Sequence, residues 1–191
     1  PLGSGPFSFD LQAAYRGICE ALAAGLRELG VEVQLAGELG GPMIRPTEAI
    51  PCFVGPAAGE VVARGRKLVG SAMRRIGDAI LQHGAILEGW DGALQAGCLG
   101  LSDDRTLRPA VITLADLLGV PPRHEDLVEA LVGGFQKALG AAFFVSELTP
   151  AELAHAELLA SERYGHERWT RRRSREVGAG GMVANLGRGA E

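Results

Sequence analysis

The sequence has few cysteines, and their spacing argues against a metal site. Cys19, Cys52 and Cys98 are far apart and odd in number, and no Cys-x-x-Cys or histidine-rich pattern accompanies them. Zinc sites built on cysteine need closely spaced ligand pairs, so we expect no bound metal. Scattered thiols of this kind are typical of proteins from a reducing compartment, and we therefore expect a cytoplasmic protein.

Long apolar runs and an excess of positive charge are missing as well. No stretch has the length of a transmembrane helix, no signal peptide is recognisable, and the formal net charge is −4. We therefore expect neither a membrane nor a nucleic acid as partner. The 191 residues, of which 47% are apolar and 22% charged, match one globular domain with a substantial core.

The two ends of the sequence are expected to lie outside the folded domain. Residues 1–4, Pro-Leu-Gly-Ser, resemble the remnant of a cleaved expression tag. Residues 176–191 are rich in glycine and are expected to form a flexible tail. The domain itself is expected to cover residues 5–175.

Hydrophobic periodicity predicts helices at both ends of this domain and strands between them. Steps of three and four residues predict a helix over 10–29, ended by Gly30, and another over 123–139. Thr113 and Thr149 each have the character of an N-cap for a further helix. Strands are predicted over 31–36, 60–63, 67–73 and 79–87, with a Gly- and Pro-rich loop over 37–56 and turns at Arg64-Gly65 and Ile76-Gly77-Asp78.

Lysine is rare, and one of the two lysines lies in a position that suggests chemistry. Lys67 and Lys137 are the only lysines against seventeen arginines. Lys67 follows a predicted hairpin turn, and Cys52 lies a short loop upstream. A compact, deprotonatable amine near a thiol can support acyl transfer. The alternative is a surface lysine that protects a sheet edge.

The motif around Lys67 resembles a known family. The resemblance is to the biotin/lipoate protein ligase superfamily, in its lipoate-protein ligase A and octanoyltransferase branch, and it extends over about residues 8–172. It implies an α+β fold with a mixed, largely antiparallel sheet flanked by helices. The residues that carry it are Cys52-Phe53, then Gly65-Arg66-Lys67-x-x-Gly70-Ser71-Ala72, then Leu81-Gln82-His83-Gly84.

The resemblance also implies roles for individual residues. Lys67 would contact the acyl carbonyl and stabilise the charge that develops on it. Cys52 would carry the acyl group as a thioester, although a buried, unreactive cysteine is the alternative. A histidine among aliphatic neighbours is more often a core residue than a catalyst, so His83 is given a supporting role in the pocket. The substrate-binding set implied by the motif is Gly65, Arg66, Gly70, Ser71, Ala72, His83 and Gly84.

The implied activity is lipoylation by acyl transfer. Octanoyl-acyl carrier protein would be the donor, and the lysine of a lipoyl domain would be the acceptor, in glycine cleavage H protein or a 2-oxoacid dehydrogenase E2. This transferase would need no cofactor. One alternative is an ATP-dependent lipoate-protein ligase, or one subunit of a two-chain ligase, that uses ATP and Mg. Another is a non-catalytic subunit that binds lipoyl domains.

The sequence departs from the family pattern at three places. Met73 stands where glutamine is common, and Ala85 where serine is common. No Arg-Arg-x-x-Gly-Gly motif precedes the helix at Asp10, and Gly40-Gly41 follows no arginine pair. A truncated sequence, a second polypeptide and a loss of catalysis are three open explanations. We expect such a chain to associate with another copy or with a second subunit.

Overall fold

A computed structural model of the chain describes residues 10–37, 55, 56 and 58–171, excluding the side chains of residues 170 and 171. The chain forms two compact units, and the division falls between Ala142 and Phe143. The first unit contains helices α1 (Leu11–Glu28), α2 (Gly92–Cys98), α3 (Leu114–Leu118) and α4 (His124–Leu139). Its strands are β1 (Gln34–Leu35), β2 (Val61–Ala63), β3 (Arg66–Lys67), β4 (Val69–Ile76) and β5 (Ala79–Ile86).

The predicted helices of the first unit are confirmed, and their ends follow from local chemistry. Asp10 caps α1, because its side chain accepts a hydrogen bond from Gln12 N at 2.9 Å. Gly30, at φ 81°, ends the helix in the left-handed conformation. Thr113 and Asp116 form a reciprocal capping box at the start of α3. Helix α4 packs against α1 over much of its length.

The first predicted strand is shorter than expected. Only Gln34 and Leu35 of residues 31–36 are in a strand. The Arg27 guanidinium binds the carbonyl of Val33 at 2.8 and 3.2 Å, and Val31 N bonds back to Leu26 O. The Val33 carbonyl and the Val31 N–H therefore bond to residues of α1 instead of to a neighbouring strand.

The prediction of one continuous strand over 67–73 is wrong. The chain leaves the antiparallel sheet β1-β2-β3 at Leu68 and enters the separate antiparallel hairpin β4-β5. Leu68 N bonds to Val61 O on one side, and Leu68 O accepts from Leu87 N on the other. The backbone changes pairing partners here, so buried and exposed side chains do not alternate along this segment. Lys67, Leu68 and Val69 are all buried.

The sheet and the first helix enclose one hydrophobic core. A parallel bridge between Lys67 and Val111 adds a parallel contact to the otherwise antiparallel strands. The α+β fold class, mixed and largely antiparallel, is thus confirmed. The buried core is made by apolar side chains of α1, the strands and the segment before α3, including Leu26, Val61, Leu68, Ile112 and Leu114.

The second unit consists of helices. Helix α5 (Pro150–Leu159) begins at Thr149 with the predicted capping box and continues as a π-helical turn, Ala160–Tyr164. Helix α6 (Glu167–Arg171) follows. The boundaries of the predicted domain at 5 and 175 and the predicted tail over 176–191 lie outside the described residues, so they stay predictions. No helix among the described residues is long and apolar enough to cross a membrane.

Candidate functional site

A two-residue turn positions Lys67 in the middle of the first unit. Arg64 and Gly65 have φ values of 49° and 70°. Two successive residues in the left-handed conformation are typical of the tight turn that joins two twisted antiparallel strands. Glycine adopts this conformation without strain. The turn places Lys67 opposite Val62, and the Lys67 carbonyl accepts from Ile112 N at 3.0 Å. The predicted hairpin is confirmed, but Lys67 is buried rather than at the surface.

Glu60 neutralises the buried Lys67. The Lys67 Nζ and Glu60 Oε2 atoms are 2.8 Å apart, and the two side chains are only 5% and 4% exposed. The second oxygen, Glu60 Oε1, accepts a hydrogen bond from the backbone N–H of Ser71 at 3.2 Å. A buried ammonium is tolerated where an opposite charge and hydrogen bonds replace its water, and Glu60 supplies the charge.

Sequence reasoning missed Glu60, although a signal was present. Glu60 lies two residues before Val62, and Val62 faces Lys67 across the hairpin. Residues two apart share a strand face, so Glu60 is a diagonal cross-strand neighbour of Lys67. The predicted strands over 60–63 and 67–73 already contain both residues, so pairing them across the Arg64-Gly65 turn would have brought the two charges together.

Tyr15 and Cys19 line the side of this site that α1 provides. The Tyr15 hydroxyl donates to the Ser71 carbonyl at 3.4 Å, and Gln82 Nε2 donates to Cys19 Sγ at 3.8 Å. Burial, with a contribution from the Glu60 charge, raises the pKa of Cys19 to about 11 and that of Tyr15 well above its usual range. Both groups are therefore neutral near pH 7, and Cys19 is a buried thiol of low reactivity.

Three of the motif's small residues come together where β4 and β5 begin to pair. A Cβ added to Gly84 would overlap the carbonyl oxygen of Gly70 and lie 2.9 Å from Ser71 Oγ. The strands approach closely here because glycine has no side chain. Through Ser71, this group is linked to Glu60 and from there to Lys67.

The remaining motif residues take no part in this close contact. Arg66 is half-buried next to Lys67, and Gly65 is exposed in the turn. Ala72 and His83 pair with each other and are exposed, so His83 does not lie in the core, and its supporting role in the pocket stays a prediction. Cys52 lies outside the described residues. Among the described residues, no three His, Cys, Asp or Glu side chains are grouped as they would be around a metal ion.

Comparisons with known proteins place this motif in a family. The profile of the lipoyl protein ligase A/B catalytic domain matches residues 4–136, which include the Lys67 hairpin and the first four helices as far as Gln136. An octanoyltransferase LipM from Kyrpidia tusciae is 38% identical over 169 residues, which cover 84% of this chain and 61% of that protein. The LipM of Symbiobacterium thermophilum is 34% identical, covering 83% of this chain and 61% of that protein.

Solved structures agree with this assignment at the level of the fold. A lipoate-protein ligase A bound with ATP superposes with a TM-score of 0.64 at 24% identity, covering 84% of this chain and 59% of that one. A bi-partite lipoate protein ligase from Thermoplasma acidophilum gives a TM-score of 0.58 at 21% identity, covering 84% and 58%. The chain spans about three-fifths of the length of the curated relatives it matches. With its profile match, its LipM relatives and its fold, the chain belongs to the lipoyl protein ligase A/B catalytic domain family.

Proposed function

We propose that the protein containing this chain transfers an octanoyl or lipoyl group onto the lysine of a lipoyl domain through a thioester on Cys52. The observation that carries the proposal is the Lys67 ammonium, buried inside the motif and 2.8 Å from Glu60. A fixed positive charge in a site screened from water is well suited to stabilise an oxyanion. The relatives named octanoyltransferase support this choice of reaction.

The proposed reaction has two steps. First, the Cys52 thiolate attacks the carbonyl of an octanoyl thioester, and the donor thiol leaves with a proton. Second, the ε-amine of the lipoyl-domain lysine attacks the Cys52 thioester. The amine loses a proton as the amide bond forms, and the Cys52 thiol leaves. In both steps the Lys67 ammonium would donate a hydrogen bond to the carbonyl oxygen as negative charge develops on it.

The proposed donor is octanoyl-acyl carrier protein, and the proposed acceptors are glycine cleavage H protein and E2 lipoyl domains. The bi-partite ligase from Thermoplasma acidophilum was solved in a study of that enzyme and its E2 lipoyl domain, which supports an acceptor of this class. No ATP or Mg would be required for transfer from a thioester, because the donor is already activated. A second subunit, self-association and a cytoplasmic location are part of the same proposal.

Intact mass spectrometry tests the thioester directly. The protein is mixed with octanoyl-acyl carrier protein without ATP, beside Cys52→Ala and Cys98→Ala variants. Cys98 is exposed, so it is a matched control for adventitious acylation of an accessible thiol. We expect an octanoyl-sized mass increment that hydroxylamine removes, present in the wild type and in Cys98→Ala. An increment that persists in Cys52→Ala would refute the assignment of the nucleophile.

The second candidate is an ATP-dependent ligase, favoured by the fold shared with the ATP-bound lipoate-protein ligase A. In that reaction the Lys67 ammonium would contact an acyl-adenylate rather than a thioester. The protein is given lipoate, ATP and Mg with an apo lipoyl domain, and the mass of that domain is measured. Lipoylation that requires ATP, together with no acylation of Cys52, would favour the ligase. Binding of the lipoyl domain without either modification would indicate a non-catalytic subunit.

A further inference from the structure

We propose that Glu60 is a positioning residue that fixes Lys67 for transfer, an inference that rests on the proposed role of Lys67. One carboxylate holds two separate parts of the motif. Its Oε2 contacts Lys67 Nζ at 2.8 Å, and its Oε1 accepts from Ser71 N at 3.2 Å. Glu60 therefore fixes both the ammonium and the backbone four residues further along the chain.

The position of this contact in the fold supports the proposal. Between Lys67 and Ser71, the chain leaves one sheet at Leu68 and enters the β4-β5 hairpin. The backbone of Leu68 pairs on both sides of this break, but the lysine and the small residues Gly70 and Ser71 lie in two differently paired segments. The Glu60 carboxylate contacts both segments, through Lys67 and Ser71. Such a contact is useful because catalytic groups must be held to within a fraction of an ångström to be effective.

Stability alone does not explain a buried ion pair at this place. Removing two charges from water is unfavourable, and replacing such a pair with apolar side chains is often neutral or stabilising. The hydrophobic cluster includes Val61, Leu68 and Val69, which are chain neighbours of the pair, so two apolar side chains would suit this environment. Preorganisation of a charge that acts during the reaction accounts for the presence of both residues.

The test uses Glu60→Gln, in which a side-chain oxygen remains to accept from Ser71 N–H but the negative charge is lost. We expect the rate of Cys52 octanoylation to fall on the order of tenfold to a hundredfold, less than the loss for an oxyanion donor itself. The KM for octanoyl-acyl carrier protein should change little, because Glu60 acts through Lys67 and not on the carrier.

Asp116→Asn is the matched control. The Asp116 carboxylate has the same two kinds of partner in a less buried setting, with Arg108 Nη2 at 2.6 Å from one oxygen and Thr113 N at 2.9 Å from the other. It lies outside the Lys67 site, so its loss should affect stability without affecting the rate. Equal rate losses in both variants, in parallel with equal losses of thermal stability, would mean that Glu60 is only structural and would overturn the proposal.

A second readout does not depend on activity. The chain has only two lysines, and Lys137 is exposed, so it is an internal reference. Under limiting amine-acetylating reagent, the ratio of Lys67 to Lys137 modification, measured by peptide mass spectrometry, should rise several-fold in Glu60→Gln. An unchanged ratio would overturn the positioning role even if wild-type transfer is observed. If the wild type forms no thioester, the proposed function fails, while this ratio still decides whether Glu60 fixes Lys67.

Folding is checked first by circular dichroism and thermal melting. If Glu60→Gln does not fold, Glu60→Asp takes its place, because it keeps the charge and shortens the reach to Lys67. Slower octanoylation at unchanged KM would then support the proposal. A wild-type rate in either folded variant would overturn it.

Discussion

At the scale of single residues, the site combines a buried ion pair with two buried side chains that stay neutral. Lys67 and Glu60 are both charged and buried, and each compensates the other. Cys19 and Tyr15 are close by, but burial keeps them protonated. This arrangement supports the proposal that the Lys67 ammonium polarises the substrate carbonyl, with the two neutral side chains beside it.

Replacing Lys67 is expected to remove most of the transfer rate. Lys67→Met should slow Cys52 octanoylation by about a hundredfold to a thousandfold, the loss typical of an oxyanion donor. Lys67→Arg keeps a positive charge for Glu60 but should not restore the rate, because a planar guanidinium cannot occupy the place of a compact ammonium. The measurement is single-turnover acylation followed by intact mass, on variants shown to be folded. Lys137→Met, the other lysine, should react like the wild type, and a normal rate in Lys67→Met would contradict the role of Lys67.

The raised pKa of Cys19 predicts its reactivity. Because the pKa moves from its ordinary value of 9.0 to about 11, the folded protein keeps Cys19 as a thiol at pH 8.5, and exposed Cys98 should be alkylated by iodoacetamide much sooner. The expected result is modification of Cys19 only after unfolding, measured by peptide mass spectrometry. Alkylation of both thiols at similar rates in the native protein would show that Cys19 is not buried.

The same shift sets the direction of a pH effect on stability. A thiol whose folded pKa is raised contributes stability below the unfolded pKa and loses it as pH increases toward the folded value. The free energy of unfolding should therefore decrease between about pH 9 and pH 11. Chemical denaturation across this range measures it. Cys19→Ser is the comparison, because its hydroxyl does not titrate there, and its stability should depend less on pH.

At the scale of elements, the contact between α1 and α4 depends on glycine. A Cβ on Gly134 would overlap the backbone of Gly25 and Ala21, and a Cβ on Gly25 would lie 2.6 Å from the carbonyl oxygen of Ala130. Two helices can approach this closely only where side chains are missing. Since α1 also carries Tyr15 and Cys19, its distance from α4 helps to set its position against the site.

The two neighbouring glycines of α4 give a matched pair of substitutions. Gly134→Ala should destabilise the protein by about 1–3 kcal/mol, because backbone atoms cannot move out of the way of a new methyl group. At Gly133 the added Cβ would meet only the flexible end of the Glu28 side chain. Gly133→Ala should be neutral or stabilising, by up to about 1 kcal/mol of helix propensity. Urea denaturation compares them, and equal effects would show that the helices do not approach as described.

At the scale of the whole molecule, burial is concentrated in the first unit. Its core contains fully buried side chains from α1, β2, β4 and the segment before α3. Between residues 143 and 169, every described residue except the half-buried Leu159 is exposed. Helix α5 is therefore supported mainly by its capping box and its own backbone hydrogen bonds.

Hydrogen exchange should reveal this difference. Amides of α1, β2 and the inner turns of α4 are expected to exchange slowly, because opening them exposes the core. Amides of α5 and α6 are expected to exchange by local opening, orders of magnitude faster. Mass spectrometry of peptic peptides gives both rates from one sample of the full chain. Equal protection of the two regions would contradict the distribution of burial.

Local patterns in the sequence were enough to predict helices α1, α3, α4 and α5, the turns and the lysine-bearing hairpin, whereas the short helices α2 and α6 were not predicted. The caps at Thr113 and Thr149 and the turn at Arg64-Gly65 depend on residues close in the chain, so the sequence could predict them. The motif around Lys67 was enough to indicate the family and the fold class. The roles of Cys52 and of the motif's substrate-binding residues remain predictions.

Tertiary structure alone decided how these pieces meet. The strand break at Leu68 arises because its N–H pairs with Val61 in β2, whereas its carbonyl pairs with Leu87, the residue directly after β5. The shared contacts of Glu60 and the neutral state of Cys19 likewise depend on which surfaces become buried together. Local propensity reflects neighbours along the chain, whereas charge state and position in a site depend on neighbours in space, and the fold brings those together.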